Sequence, residues 1–194
     1  MKKFFTVLLS SFLLAGCGVI GDKGVEGALT GETIPFDTTE QEDSSSDPET
    51  HEGEIGEKMS TMFFDFIVND VYSTNMIGGT TPADGNKFIV ADITVKNTDD
   101  VEITMFSSDF YLYWGDGEEE YSLPRVYDDP DHLIMDGELE DEYDLGSGDE
   151  ISGYLIYEVP EDRYAFLVSA EDIYTNSDGE EFYGDFYDVY AETE

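Results

Sequence analysis

The sequence predicts an antiparallel β-sandwich, on three observations. From Lys58 onward the chain is made of short β-branched and aromatic runs, turn residues separate them, and no long stretch carries the helical period. Seven runs read as strands: Phe63 to Val71, Lys87 to Lys96, Val101 to Phe106, Phe110 to Trp114, Ile151 to Val159, Tyr164 to Ala170 and Phe182 to Tyr190. The alternation is clearest in Ile89/Ala91/Ile93/Val95, Phe110/Leu112/Trp114 and Tyr164/Phe166/Val168/Ala170, each a one-faced set because strand side chains alternate with period two. Ala83-Asp84-Gly85-Asn86, Gly115-Asp116-Gly117 and Asn176-Ser177-Asp178-Gly179 supply the hairpin turns. With 194 residues the chain holds one domain plus extensions, and no internal repeat is visible.

Residues 1–16 read as a secretory signal. Lys2 and Lys3 precede an apolar run from Phe4 to Leu14, far short of the ~20 residues a spanning helix needs. Leu14-Ala15-Gly16-Cys17 resembles the lipobox of bacterial lipoproteins, in which the Cys is diacylated and becomes the new N-terminus. Cys17 is the chain's single Cys. Two acyl chains, at about 0.8 kcal/mol per buried CH₂, anchor stably where one does not. The expected location is the extracellular side of the cell membrane, held by diacylglyceryl-Cys17.

Residues 17–57 read as the lipidated Cys followed by a disordered acidic tether, and residues 58–194 as the sandwich. From Gly18 to Glu57 there are 12 acids against Lys23 alone, with too little apolar surface to offset chain entropy. The acid excess continues through the folded part, for a formal net charge of -39. A polyanion with no basic stripe repels phosphates, so nucleic acid is excluded as a partner.

Three segments in fixed succession carry a family resemblance: KFIVADITVKN (Lys87 to Asn97), FYLYWGDGEEEY (Phe110 to Tyr121) and LGSGDEISGYLIYEVP (Leu145 to Pro160). Together they resemble the telokin-like, immunoglobulin-fold domain of unknown function common in lipoproteins of Gram-positive bacteria, and are similar to the mycobacterial secreted immunoprotective antigen. Two departures are Ser147-Gly148, where the family more usually has Pro-Gly, and Tyr157, where Phe is commoner. The resemblance covers Lys58 to Ala170. It implies an immunoglobulin-like sandwich on an exported, often lipid-anchored protein, and it brings no catalytic residues.

The residues give little chemistry. A Ser-His-Asp or Cys-His arrangement needs a His beside its nucleophile, and the two His fall in the tether (His51) and in an acidic loop (His132). A His/Cys zinc site fails on the same count, and no phosphate-cradling Gly loop is present. Paired carboxylates for glycoside hydrolysis need one acid raised by burial, and no pair stands out. No enzyme, catalytic residue or obligate cofactor is expected.

Ca²⁺ is the one candidate ion, because the segment Asp128 to Glu150 is dense in carboxylates and empty of Lys and Arg. Its candidate ligands are Asp128, Asp129, Asp131, Asp136, Glu138, Glu140 and Asp141. The alternative is a solvated acidic face. Tyr183 and Tyr187 in the last strand form the candidate ligand platform, against a core or edge role. The sequence thus points to a lipid-anchored, non-catalytic binding or interaction module for a surface protein or glycan, cation-assisted in one version. The alternative is a passive acidic envelope or stress protein suited to saline surroundings, where the Debye length falls to ~3 Å at 1 M salt, with an enzyme a distant third.

Overall fold

The structure, a computed structural model, describes residues 48–115, 120–175 and 181–194, with the side chains of Thr175 and Glu181 excepted. The expected signal segment, Cys17, most of the expected tether, and the turns expected at Asp116-Gly117 and Asn176–Gly179 lie outside the described residues. Eleven strands form the described part: β1 (Thr50–Glu54), β2 (Lys58–Ser60), β3 (Phe64–Thr74), β4 (Asn86–Asn97), β5 (Ile103–Phe106), β6 (Phe110–Tyr113), β7 (Tyr121–Ser122), β8 (Glu142–Leu145), β9 (Glu150–Pro160), β10 (Ala165–Thr175) and β11 (Glu181–Glu192). One sheet runs β1-β11-β10-β6-β7, the other β2-β3-β4-β9, and β5 pairs with β8 in a separate two-stranded ladder. The two larger sheets make a β-sandwich. All seven strands expected from the sequence are present, and β1, β2, β7 and β8 are additions.

β4 shows why the sheets stack. Its inward set Ile89, Ala91, Ile93 and Val95 is fully buried and joins Phe66, Val68, Phe110, Leu112, Leu155, Phe166, Val168 and Val189 in one core. Phe66 meets Phe110 edge-on at 5.5 Å across the layer. The opposite face of β4 is also covered, because Phe88 and Val90 pack with Ile77 and Ile156 beneath Ile134 and Met135. A strand wrapped on both faces loses the polar/apolar alternation at its start, as the run Lys87 to Ala91 does.

The folded part begins before Lys58, which corrects the boundary drawn from the sequence. Thr50–Glu54 pairs with β11, and does so in parallel, so the sandwich is not wholly antiparallel. The strand carries Glu52 and Glu54 and has no apolar alternation, so its stability comes from the ladder and a few side-chain contacts rather than burial. His51 stacks on Tyr187 at 4.9 Å and lies 3.1 Å from Asp185 Oδ2, while the Glu49 N–H donates to Asp185 Oδ1 at 2.9 Å. These contacts hold the Asp185 carboxyl below its ordinary range, first through the Glu49 N–H and then through His51. After β1 the chain changes sheet. Gly56, at φ +85°, makes that reversal, and its N–H donates to the Val68 carbonyl at 2.8 Å.

Asn97, fully buried at the end of β4, closes the following loop by donating to the carbonyls of Val101 (2.7 Å) and Leu145 (2.9 Å). Tyr157 is the opposite case. It is wholly buried in β9, its hydroxyl has no partner among the described residues, and burial pushes the phenol up. A buried hydroxyl without a partner costs roughly 1–3 kcal/mol. Tyr157→Phe, the residue commoner in the resembling family, is therefore expected to raise stability by about 1 kcal/mol in urea denaturation; a loss of that size would show that the hydroxyl is satisfied in solution.

Candidate functional site

The site arises where strand lengths mismatch. β6 starts at Phe110, opposite Ala170, whereas β10 continues past that point to Thr175. The chain enters β6 from the two-stranded ladder through the tight turn Ser107–Asp109. That turn is fixed at Ser107, which is fully buried, donates its N–H to the Asp141 carbonyl (2.8 Å) and its hydroxyl to Asp141 Oδ1 (2.5 Å). Beyond the end of the β6 pairing at Phe110, a cleft of about 530 Å³ opens between β5 and β10.

Apolar side chains (Phe63, Ile103, Met105, Phe106, Ile173) make one part of its lining, and Asp109, Glu171, Asp172 and Tyr111 the polar part. Phe106 and Ile173 are exposed at 42% and 44%, so the cleft has an open apolar rim. Asp109 Oδ2 accepts the Phe106 N–H at 2.8 Å. Burial nevertheless raises this carboxyl to about 6 against the pull of that N–H. Burial also raises Glu171, and it raises Tyr111 with help from Tyr113, Glu171 and Asp109. Asp172 is buried and accepts the Tyr187 hydroxyl and the Met62 N–H, both at 3.0 Å. It comes so close to β11 that a Cβ on Gly184 would lie 2.9 Å from its own Cβ.

The sequence candidates fare differently. Tyr183 and Tyr187, four residues apart, would share a face in a regular strand, but a bulge against Glu171/Ile173 inserts a residue between them. Tyr187 consequently packs inward with its hydroxyl on Asp172, while Tyr183 is 59% exposed; the pair is not one platform. In the acidic segment, Asp128, Asp129, Asp131, Asp136 and Glu140 are exposed, with Asp129 Oδ2 4.0 Å from Arg125 and 3.5 Å from His132. Asp141 serves Ser107. Glu138 is buried, 3.0 Å from Arg125 Nη1, and accepts the Ile134 N–H at 2.6 Å; Arg125 Nη1 also donates to the His132 carbonyl. Among the described residues no group of three or more His, Cys, Asp or Glu is arranged to hold a metal ion. Glu138 looked like a ligand because one acid among many carries no mark of burial; its apolar neighbours Ile134, Met135 and Leu139 were the available signal.

Residues 53–179 match the domain of unknown function DUF4352. The chain belongs to the DUF4352 family. The DUF4352 match starts inside β1 and ends before β11. A Bacillus subtilis protein (ycdA) described as a candidate lipoprotein has a similar fold, with TM-score 0.50, 16% identity and 71% of this chain covered. This chain spans 38% of that protein's length. The yjhA protein of Bacillus subtilis (TM-score 0.47, 20% identity, 70% of this chain and 98% of that one) and a β-sandwich protein of Clostridium difficile (0.40, 12%, 76% and 97%) are also similar. No curated protein matches. The likeness to the ycdA protein shows the fold and leaves the cleft's ligand open. No helix among the described residues is long and apolar enough to cross a membrane.

Two expected outcomes follow from the site. Breaking a buried ion pair from one side leaves a charge unpaired, so Glu138→Gln is expected to cost about 3 kcal/mol, whereas Asp128→Asn changes stability by less than about 0.5 kcal/mol; urea titrations of both variants check this. For Asp109, raised in the folded state, the stability it contributes is full below the unfolded value near 3.8 and falls as pH rises toward about 6. Asp109→Asn should therefore match wild type below roughly pH 4 and exceed it at pH 7.5 by roughly 1–2 kcal/mol, allowing for partial exposure; parallel pH-stability curves would disprove the shift.

Proposed function

We propose that this protein is a lipid-anchored, extracytoplasmic binding module, non-catalytic, whose ligand site is the cleft between β5 and β10. The single observation that carries the reading is that cleft: about 530 Å³, within the range of ligand pockets, with an open apolar rim over three carboxylates. An apolar surface left open beside convergent polar groups is what a recognition site needs. Ser108 and Thr104 in the lining have no His, Cys or Lys beside them in the cleft, so no nucleophile–base pair forms there. The raised Asp109 carboxyl alone meets one requirement of an acid catalyst and lacks the assembled partner.

The anchor is part of the same proposal. Supporting it are the lipobox-like Leu14-Ala15-Gly16-Cys17 behind an apolar run and the fold shared with a bacterial protein described as a candidate lipoprotein. The telokin-like, immunoglobulin-like kinship belongs here too, on the strength of its three ordered segments. In this reading the acidic chain before Thr50 is the spacer between membrane and sandwich.

Cys17→Ala is expected to move the protein from the membrane fraction to the medium, and retention on the membrane would remove the anchor from the proposal. On the released protein, binders from a small-molecule fragment library should shift the backbone amide signals of Phe106, Asp109 and Ile173. The same fragments should leave Ser108→Trp, which fills the cleft, unshifted. A library that moves none of these signals in the wild-type chain would remove the cleft as a binding site.

A further inference from the structure

Resting on the reading of the cleft as a binding site, we infer that it takes an extended, basic peptide segment, laid as an added strand along the open edge of β10 with Lys or Arg side chains toward Asp109 and Glu171. Backbone, charge and apolar surface each support that occupant.

β6 engages β10 only from Leu167 to Ala170, and no described strand pairs with Glu171–Thr175 on that side. Across the cleft, β5 pairs with β8 on one edge and with no described strand on the other. Residues of both strands line the cleft. An open strand edge carries a row of backbone donors and acceptors in register to receive another strand, and adding one is a general mode of peptide capture.

Charge selects among the strands that could dock. The lining holds three carboxylates and no Lys, Arg or His. The folded part has five Lys and Arg, and they sit elsewhere: Lys58 on Asp65 at 2.7 Å, Arg125 on Glu138, Arg163 near Glu120 at 3.3 Å, Lys87 over the Tyr164 ring at 4.1 Å and Lys96 opposite Asp65. Nothing cationic from the lining neutralises the cleft from within. A second copy, with its net charge of -39, is repelled from this edge, whereas a basic strand is attracted to it. An acid on an edge protects against self-association and against acidic partners only.

The apolar rim completes the match. Side chains on one face of an added strand recur at roughly 7 Å, so Lys or Arg on the face that Glu171 shares with Ile173 would reach the carboxylate with their aliphatic stems over Ile173, while the alternate side chains turn to the apolar lining at Phe63 and Met105. A free small amine would satisfy the charge but leave the strand edge and this rim unused.

The test uses the chain from Gly18 to Glu194, which keeps every described residue. The probes are an acetylated, amidated octapeptide alternating Lys and Val, the same peptide with Glu in place of Lys, and the Lys/Val peptide N-methylated at each Val. Calorimetry should give saturable binding of the Lys/Val peptide. The N-methylated peptide, and the Asp109→Asn/Glu171→Gln variant with the original peptide, should each bind at least about tenfold more weakly. Raising NaCl from about 50 to about 500 mM should also weaken binding. The remote Asp128→Asn/Asp131→Asn variant should bind as wild type does. Equal binding of the Glu/Val peptide, undiminished binding of the N-methylated one, or equal losses from the cleft and remote variants would each overturn the proposal. If no peptide binds while library fragments still shift Phe106 and Ile173, the peptide proposal falls and the cleft reading stands; if neither binds, both fall.

Discussion

The burial of β4 on both faces is the constraint on which the rest of this structure depends. A sandwich strand ordinarily offers one face to the core and one to water, but here Phe88 and Val90 turn outward as fully as Ile89 and Ala91 turn inward. Two buried faces need two covers. The inner one is the second sheet, and the outer one is the segment carrying Ile134 and Met135, which is irregular chain and has to be fixed by side chains. Arg125 and Glu138 do this from either end of that segment, with the His132 carbonyl and the Ile134 N–H as further partners. The same segment reaches the exposed edge of β9, where the Leu139 N–H and the Tyr154 N–H exchange bonds with the Tyr154 and Gly137 carbonyls. One loop thereby covers the outer face and protects an edge, and Glu138 is committed to that task.

Much of this was legible in the sequence, and the exceptions have physical reasons. Period-two alternation reveals a strand when one face is apolar and the other is not, so seven of the strands were visible. β1 was not, because its residues are Thr, His, Glu and Gly and its stability is supplied by β11 far along the chain. β8 failed for a similar reason: in Glu-Tyr-Asp-Leu only Leu145 is fully buried, and its pairing with β5 crosses a long acidic segment. For the candidate site the sequence showed acids without showing which are buried. Asp109 sits in a three-residue connection between two legible strands, and only the fact that those strands belong to different sheets opens space beside it. Tyr187 and Tyr183 were separated by a bulge, which moves side chains between faces without changing composition.

The scarcity of cations gives the acid excess a local structure. With five Lys and Arg in the folded part, each placed pair decides where negative charge stays unbalanced. Arg125 neutralises the one fully buried carboxylate of the loop, Lys58 and Lys96 flank Asp65, and Lys87 is drawn under Tyr164, where burial lowers its ammonium. The Asp65 carboxyl, raised by burial but lowered more by Lys58 and its other partners, ends below its ordinary value. Asp109 and Glu171 have no such partner and are raised. Two populations of acid follow from one rule: those near a cation stabilise the fold, and those in the cleft are held at a cost.

That cost bears on why the cleft exists. A chain under selection for stability alone could fill the space beyond Phe110 with a longer β6 or replace Asp109 by an apolar residue, since isolated buried carboxylates are among the most expensive groups to keep. Here the turn at Ser107 is instead anchored by two bonds to Asp141, and Gly184 is small enough to let Asp172 pack against β11. Those supports hold the cleft open and its carboxylates in place, with an exposed apolar rim at Phe106 and Ile173 that the fold itself does not use. A raised carboxyl beside an exposed apolar rim, neither required by the packing of the core, is the observation on which the proposed ligand site rests.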